Sequence, residues 1–159
     1  MKSLNNWLLV LSVLSCFGCS SPVHEDDRGC AFVSDSIQYR VEFMSAGCVR
    51  ILSFPEGDTL VTRRLVVDSE KPAFKDYKWE DTGQKLLFRT RELSVVFDKA
   101  DVAFTFQETS TGKLLLKEKG DRKARNFKRS VAGGEQCLEV TQRFVPTEDE
   151  AIYGLGQYQ

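Results

Sequence analysis

Histidine is all but missing from this sequence: His24 is the only one in 159 residues, and it lies in a polar stretch near the N-terminus. A nucleophilic triad needs a base held beside the nucleophile, so Ser–His and Cys–His chemistry is not expected. A zinc site fails on the same count, because Cys30, Cys48 and Cys137 are spaced too widely for a metal-ligand pattern and have no histidine near them. No metal and no cofactor is expected: Gly154-Leu155-Gly156 is too short for a dinucleotide fingerprint, and no helix follows it. Net charge is lacking too. The 22 basic residues are balanced by 23 acidic ones, and the run Arg122, Lys123, Arg125, Lys128 and Arg129 is offset by acidic segments on both sides. No nucleic-acid partner is expected, since that binding needs a net basic face to displace counterions. The run reads as a solvated loop or strand edge. Helical periodicity, internal repeats and low-complexity stretches are also wanting.

What is present begins with an address. Lys2 precedes an apolar stretch at residues 7–14 that is too short to span a bilayer of about 30 Å. Residues 1–18 therefore read as a lipoprotein signal peptide. A small residue stands before a cysteine twice, at Ser15-Cys16 and Gly18-Cys19, as in the bacterial lipobox. Cys16 has the better upstream residues, Val13 and Leu14, and is preferred as the lipidated residue, with Cys19 as the alternative. The expected location is the bacterial cell envelope, lipid-anchored at the outer membrane or in the periplasm, or secreted. Residues 19–30 are mostly polar and read as a flexible tether. Cys30, Cys48 and Cys137 could form one disulfide in an oxidising compartment or stay as free thiols.

From residue 31 onward the period is two. Ile37, Tyr39, Val41 and Phe43 alternate with Gln38, Arg40 and Glu42; Leu93, Val95 and Phe97 follow, then Val102, Phe104 and Phe106, and finally Leu138, Val140 and Phe144. Alternation of this kind describes strands with one face on a core and one in water. Shorter apolar runs occupy residues 48–54, 60–67, 86–90 and 114–117, with turn formers such as Ala46-Gly47, Asp81-Thr82-Gly83 and Ser110-Thr111-Gly112 between them. The segment 108–113 predicts a hairpin. The fold class is all-β, an antiparallel β-sandwich over residues 31–159, with eleven phenylalanines available to fill the space between two sheets.

Chemistry is scarce. Asp76, Glu80, Asp81, Asp98, Asp101 and Glu108 could in principle supply the paired carboxylates of a glycosidase. All lie in charged turn or edge surroundings, so no catalytic residue is assigned. Aromatics are the better lead: Tyr77, Trp79, Tyr153 and Tyr158 stand in polar or glycine-flanked stretches, where an exposed ring can stack on a sugar.

The terminal Tyr153-Gly154-Leu155-Gly156-Gln157 resembles the Tyr-Gly-Leu-Gly-Glu/Gln segment of glycoside hydrolase family 31, which holds α-glucosidases and α-xylosidases. The succession of strands and turns over residues 31–159 is compatible with that family's N-terminal, galactose-mutarotase-like sandwich. The resemblance implies a sandwich truncated at the junction to a catalytic (β/α)8 barrel, which would be its partner in the same parent chain. It also implies a retaining glycosidase whose two aspartates sit on that barrel, so this chain alone is expected to be inactive. Tyr153, Gly154 and Gln157 are the implied substrate-binding residues, and glutamine at 157 looks more like the α-xylosidase-type branch. Aldose epimerisation is not implied, because it needs a histidine on the sandwich. The function expected is that of a carbohydrate-binding and supporting domain of a hydrolase acting on α-linked xylose or glucose. The alternatives are a stand-alone lipid-anchored carbohydrate-binding module and a purely structural envelope protein.

Overall fold

A computed structural model describes residues 23–57, 74–120, 126–132 and 134–147. Strand β3 (Ile37–Ser45) sets the pattern: Tyr39, Val41 and Phe43 are fully buried on one face, with Arg40 and Glu42 on the other. Around it lie β1 (His24–Glu25), β2 (Cys30–Ser34) and β4 (Cys48–Pro55). These make a four-stranded antiparallel sheet in the order β1-β2-β3-β4.

The second sheet is five-stranded and runs in simple chain order. It comprises β5 (Lys78–Asp81), β6 (Lys85–Arg89), β7 (Leu93–Asp98), β8 (Ala103–Glu108) and β9 (Leu114–Lys117), each antiparallel to the next. A separate hairpin pairs β10 (Asn126–Ala132) with β11 (Glu135–Thr141). Among the described residues there is no helix.

The two inner faces meet through aromatic rings, as the phenylalanine content foretells. Phe97 lies 4.8 Å from Phe32, 5.2 Å from Tyr39 and 4.8 Å from Phe104, measured between ring centroids. Leu86, Phe88 and Val95 complete the layer from the five-stranded sheet, and Cys30 and Val41 from the other. Tilted aromatic pairs at these separations add to the burial of apolar area that drives the sheets together.

Several sequence expectations shift at element ends. The polar residues of the expected tether do not all stay outside the sheet: His24 and Glu25 pair with Ala31 and Cys30. Asp26 makes that possible by closing a turn, its amide donating to the Gly29 carbonyl and its Oδ1 accepting from the amides of Arg28 and Gly29. Val102 drops out of the third alternating run, since β8 starts at Ala103 and Val102 sits in the preceding turn with φ 53. A β-branched residue rarely tolerates that conformation; here its side chain is buried. Phe144 leaves the face it was expected to share with Leu138, because β11 ends at Thr141 and Phe144 instead bridges Glu118. The expected apolar run at 60–67 lies outside the described residues.

The β2–β3 connection offers a stability test. Asp35 and Ser36 stand in the left-handed region at φ 53 and 60, the geometry of a two-residue type I′ turn that prefers glycine. Ser36→Gly should raise stability by about 0.5–1 kcal/mol, the relief of the Cβ clash less glycine's extra unfolded-state entropy. Urea denaturation reads it directly, and a lowered midpoint would contradict the turn assignment.

Candidate functional site

The edge strand β5 carries the sequence Lys-Trp-Glu-Asp, polar except for one ring. Its register sets Trp79 opposite Phe88, so the indole turns towards the core and is only half-exposed. Tyr77, just before the strand, stacks on Phe43 with centroids 5.0 Å apart and planes 28° from parallel. The polar tips of both rings converge on one carboxylate: the Tyr77 hydroxyl donates to Glu25 Oε1 at 2.9 Å and the Trp79 Nε1 to Glu25 Oε2 at 2.9 Å. Glu25 belongs to the first sheet and Trp79 to the second, so this clasp ties one side of the sandwich. The sequence lead that made Tyr77 and Trp79 exposed sugar platforms is thereby corrected for these two residues: their rings pack against the core.

The clasp is not a reactive centre. Hydrogen bonds from Trp79 and then Tyr77 hold the Glu25 carboxyl below its ordinary range. Burial, reinforced by the Cys30 contact, pushes the Tyr77 phenol well up. Burial likewise raises the Cys30 thiol to about 11, against a partial offset from the Tyr77 contact at 3.7 Å. A protonated thiol is a poor nucleophile. Cys30 and Cys48 are both free, so neither takes part in a disulfide.

Asp26 beside it carries a pH prediction. Arg40 grips it through Nη1 at 2.9 Å and Nη2 at 2.5 Å, and chiefly for that reason its carboxyl falls to about 2. A depressed folded pKa contributes stability that is present above the unfolded value, near 3.8, and is lost as pH falls towards 2. The contribution is of order 1–2 kcal/mol after solvent screening. Asp26→Asn should therefore flatten the loss of stability between about pH 4 and pH 2, followed by urea denaturation across that range. An unchanged acid limb would count against the pair.

The outer face of the same edge is different. Register places Lys78 directly opposite Arg89 across β5 and β6. With Asp76, Tyr77, Thr90 and Arg91 they line an open groove of about 200 Å³. Thr90 is its floor: the hydroxyl donates to the Ala46 carbonyl at 2.5 Å and accepts from the Leu93 amide at 2.9 Å. Arg91 Nε reaches Glu92 Oε1 at 3.1 Å, and this cation is three-quarters exposed. Sequence reading missed this group because only the register of β5 on β6 brings Lys78 and Arg89 together.

The other acids singled out from sequence are mostly occupied with the fold. Asp81 is bound by Lys99 at 2.7 and 2.9 Å, which depresses its carboxyl. Asp98 accepts from the amides of Ala100 and Asp101 and pairs with Lys85, and Glu108 takes the Thr111 hydroxyl. Among the described residues no group of three or more His, Cys, Asp or Glu side chains could hold a metal. Tyr153, Gly154 and Gln157, and the cysteines Cys16 and Cys19, lie outside the described residues.

The chain is 30% identical over 129 residues to an alpha-xylosidase of Saccharolobus solfataricus, a match covering 77% of this chain and 16% of that enzyme. A crystal structure of the GH31 alpha-xylosidase from Xanthomonas citri superposes over 86% of this chain and 15% of its own, with a TM-score of 0.66 and 26% identity. A second GH31 alpha-xylosidase, from a soil metagenome and solved with xylose, shares the fold at a TM-score of 0.58 and 23% identity, covering 87% of this chain and 22% of its own. The chain thus spans about a sixth of the curated relative's length. The family model for the glycosyl hydrolase 31 N-terminal galactose mutarotase-like domain matches residues 38–158, and the chain belongs to that family.

Proposed function

We propose that this chain serves as the N-terminal sandwich of a retaining glycosidase that acts on α-linked xylose, or failing that glucose, with catalysis carried out on a separate barrel of the same parent protein. The observation that carries the reading is the family match, which runs to residue 158 and so takes in Tyr153-Gly154-Leu155-Gly156-Gln157. Alpha-xylosidases recur among the relatives, which favours xylose over glucose. Exposed apolar side chains at the β9 edge support a supporting role over a stand-alone module: Leu114, Leu115 and Leu116 of β9 are 36–53% exposed, and Phe144 and Val145, opposite Glu118 and Lys117 at the end of that strand, are 44% and 42% exposed. A soluble monomer rarely leaves such an edge uncovered.

In this reading residues 153–157 form part of the wall of the sugar pocket. Tyr153 supplies an apolar face for a sugar ring, Gly154 lets the backbone approach it, and Gln157 hydrogen-bonds its hydroxyls. Tyr153→Ala in the full-length protein should lower kcat/KM for an aryl α-xyloside by about tenfold or more with the unfolding midpoint unchanged. Gln157→Glu should move preference from α-xyloside towards α-glucoside. Unchanged kinetics in both variants would remove this segment from the pocket.

The same proposal has the protein tethered at the cell envelope through lipid on Cys16 or Cys19, a reading supported by the short apolar stretch at residues 7–14 and the small residue before each cysteine. Growth with radiolabelled fatty acid should label the wild type and leave the Cys16→Ser variant unlabelled. Label retained in that variant and lost with Cys19→Ser would assign the second cysteine, and label absent from the wild type would overturn the anchor.

A further inference from the structure

The groove at the β5–β6 edge is built for an anion. Lys78 and Arg89 stand directly opposite each other across the two strands, a like-charge arrangement that by itself works against sheet pairing. Among the described residues neither has a carboxylate partner, and Arg91, the third cation of the groove, shares only its Nε with Glu92. Three basic residues against the single acid Asp76 leave the lining net positive. The remaining walls are not those of a plain ion site. Tyr77, its ring stacked on Phe43, borders one end, and the Thr90 hydroxyl, already engaged with backbone, forms a rigid floor.

We infer that this groove is an accessory binding site for a carboxylate-bearing sugar, a hexuronate residue of a glycan. A guanidinium matches a planar carboxylate through paired N–H donors, which suits Arg89 and Arg91, while Lys78 adds a point charge. The aliphatic stems of Lys78 and Arg89 offer apolar surface to the C–H face of a pyranose. Asp76 accepts hydroxyl hydrogens and at the same time repels a multiply charged anion, which favours a uronate over free phosphate. At about 200 Å³ the groove falls below the ~300–1,000 Å³ of sites that enclose a drug-sized ligand, so it takes one ring of a longer chain. The inference is independent of the reading of residues 153–157: this groove could hold a branched or charged polysaccharide while hydrolysis proceeds elsewhere.

Calorimetric titration of the full-length protein with methyl glucuronide, methyl glucoside and inorganic phosphate tests it. The glucuronide should bind in the millimolar range and at least about tenfold more tightly than either of the others. Arg89→Gln should weaken the glucuronide about tenfold and leave aryl α-xyloside hydrolysis unchanged, which separates this groove from a sugar pocket elsewhere. Lys78→Gln should act in the same direction, with circular dichroism confirming the fold of both variants. Equal affinity for glucoside and glucuronide would overturn the role of charge, and phosphate binding as tightly as glucuronide would overturn the sugar. Glucuronide affinity that survives Arg89→Gln, or no binding at all, would overturn the site.

Discussion

Phe97→Ala should destabilise the sandwich by about 4 kcal/mol, enough to remove a large part of the 5–15 kcal/mol by which a typical domain is folded. Phe97 has no exposed surface and touches rings from both sheets: Phe32 and Tyr39 on one, Phe104 on its own. Truncation removes the apolar transfer energy of the ring and leaves a cavity between two hydrogen-bonded sheets that cannot collapse into it. The surface variant Phe144→Ala supplies the contrast, since its ring is 44% exposed and its loss should cost about 0.5 kcal/mol or less. Urea denaturation of the two variants should separate them clearly. Equal midpoints would mean that the sheets are not held by this aromatic layer.

Gly29→Ala should be nearly as damaging, at about 3 kcal/mol, although it adds a single methyl group. A Cβ at this position would lie 2.1 Å from the Val41 carbonyl oxygen and 3.2 Å from the Glu42 Cα. Those atoms belong to β3, whose backbone is paired on both sides and has no room to retreat. The residue also sits at φ 151, which L side chains rarely adopt. Gly112 makes the control: its φ of 71 is also positive, but nothing lies within 4 Å of an added Cβ. Gly112→Ala should thus cost only the backbone term, about 1 kcal/mol. If the two alanine variants lose the same amount, the close approach at Gly29 is not present.

These residues also show what was legible beforehand. Tyr39, Val41 and Phe43 announce their buried face by alternation; β3, β7 and β8 lie where apolar periodicity puts them, and β9 where its continuous apolar run does. β5 escaped because an edge strand needs only one inward residue, and Trp79 among polar neighbours looks like a surface ring. β1 escaped for a related reason: His24 and Glu25 are both exposed, and pairing rather than hydrophobicity makes them a strand. Val102 could not have been placed, since its side chain favours a strand while the turn bonded to Asp98 forces the opposite φ. Glu42 breaks the rule that outward positions are wet. It is buried on the outer face of β3, where Arg50, its cross-strand partner, neutralises it.

The candidate site divides in the same way. Residues 153–157 were recognisable as a family segment from their order alone, and the family model reaches them. The basic groove carries no linear signature. Lys78 and Arg89 meet only through the register across the 82–84 turn, and Arg91 joins them from the bend that follows β6. Conversely, the charged run around Arg122–Arg129 that drew notice in the sequence enters β10 at Asn126 and pairs with β11.

The central claim is that this sandwich supports a glycosidase whose chemistry lies outside it, and aryl α-xyloside hydrolysis measures that most directly. The full-length protein should hydrolyse the xyloside with retention of anomeric configuration, and the 159-residue chain alone should release no aglycone. Hydrolysis by the isolated chain, or a full-length protein inert towards both aryl α-xyloside and aryl α-glucoside, would contradict the account.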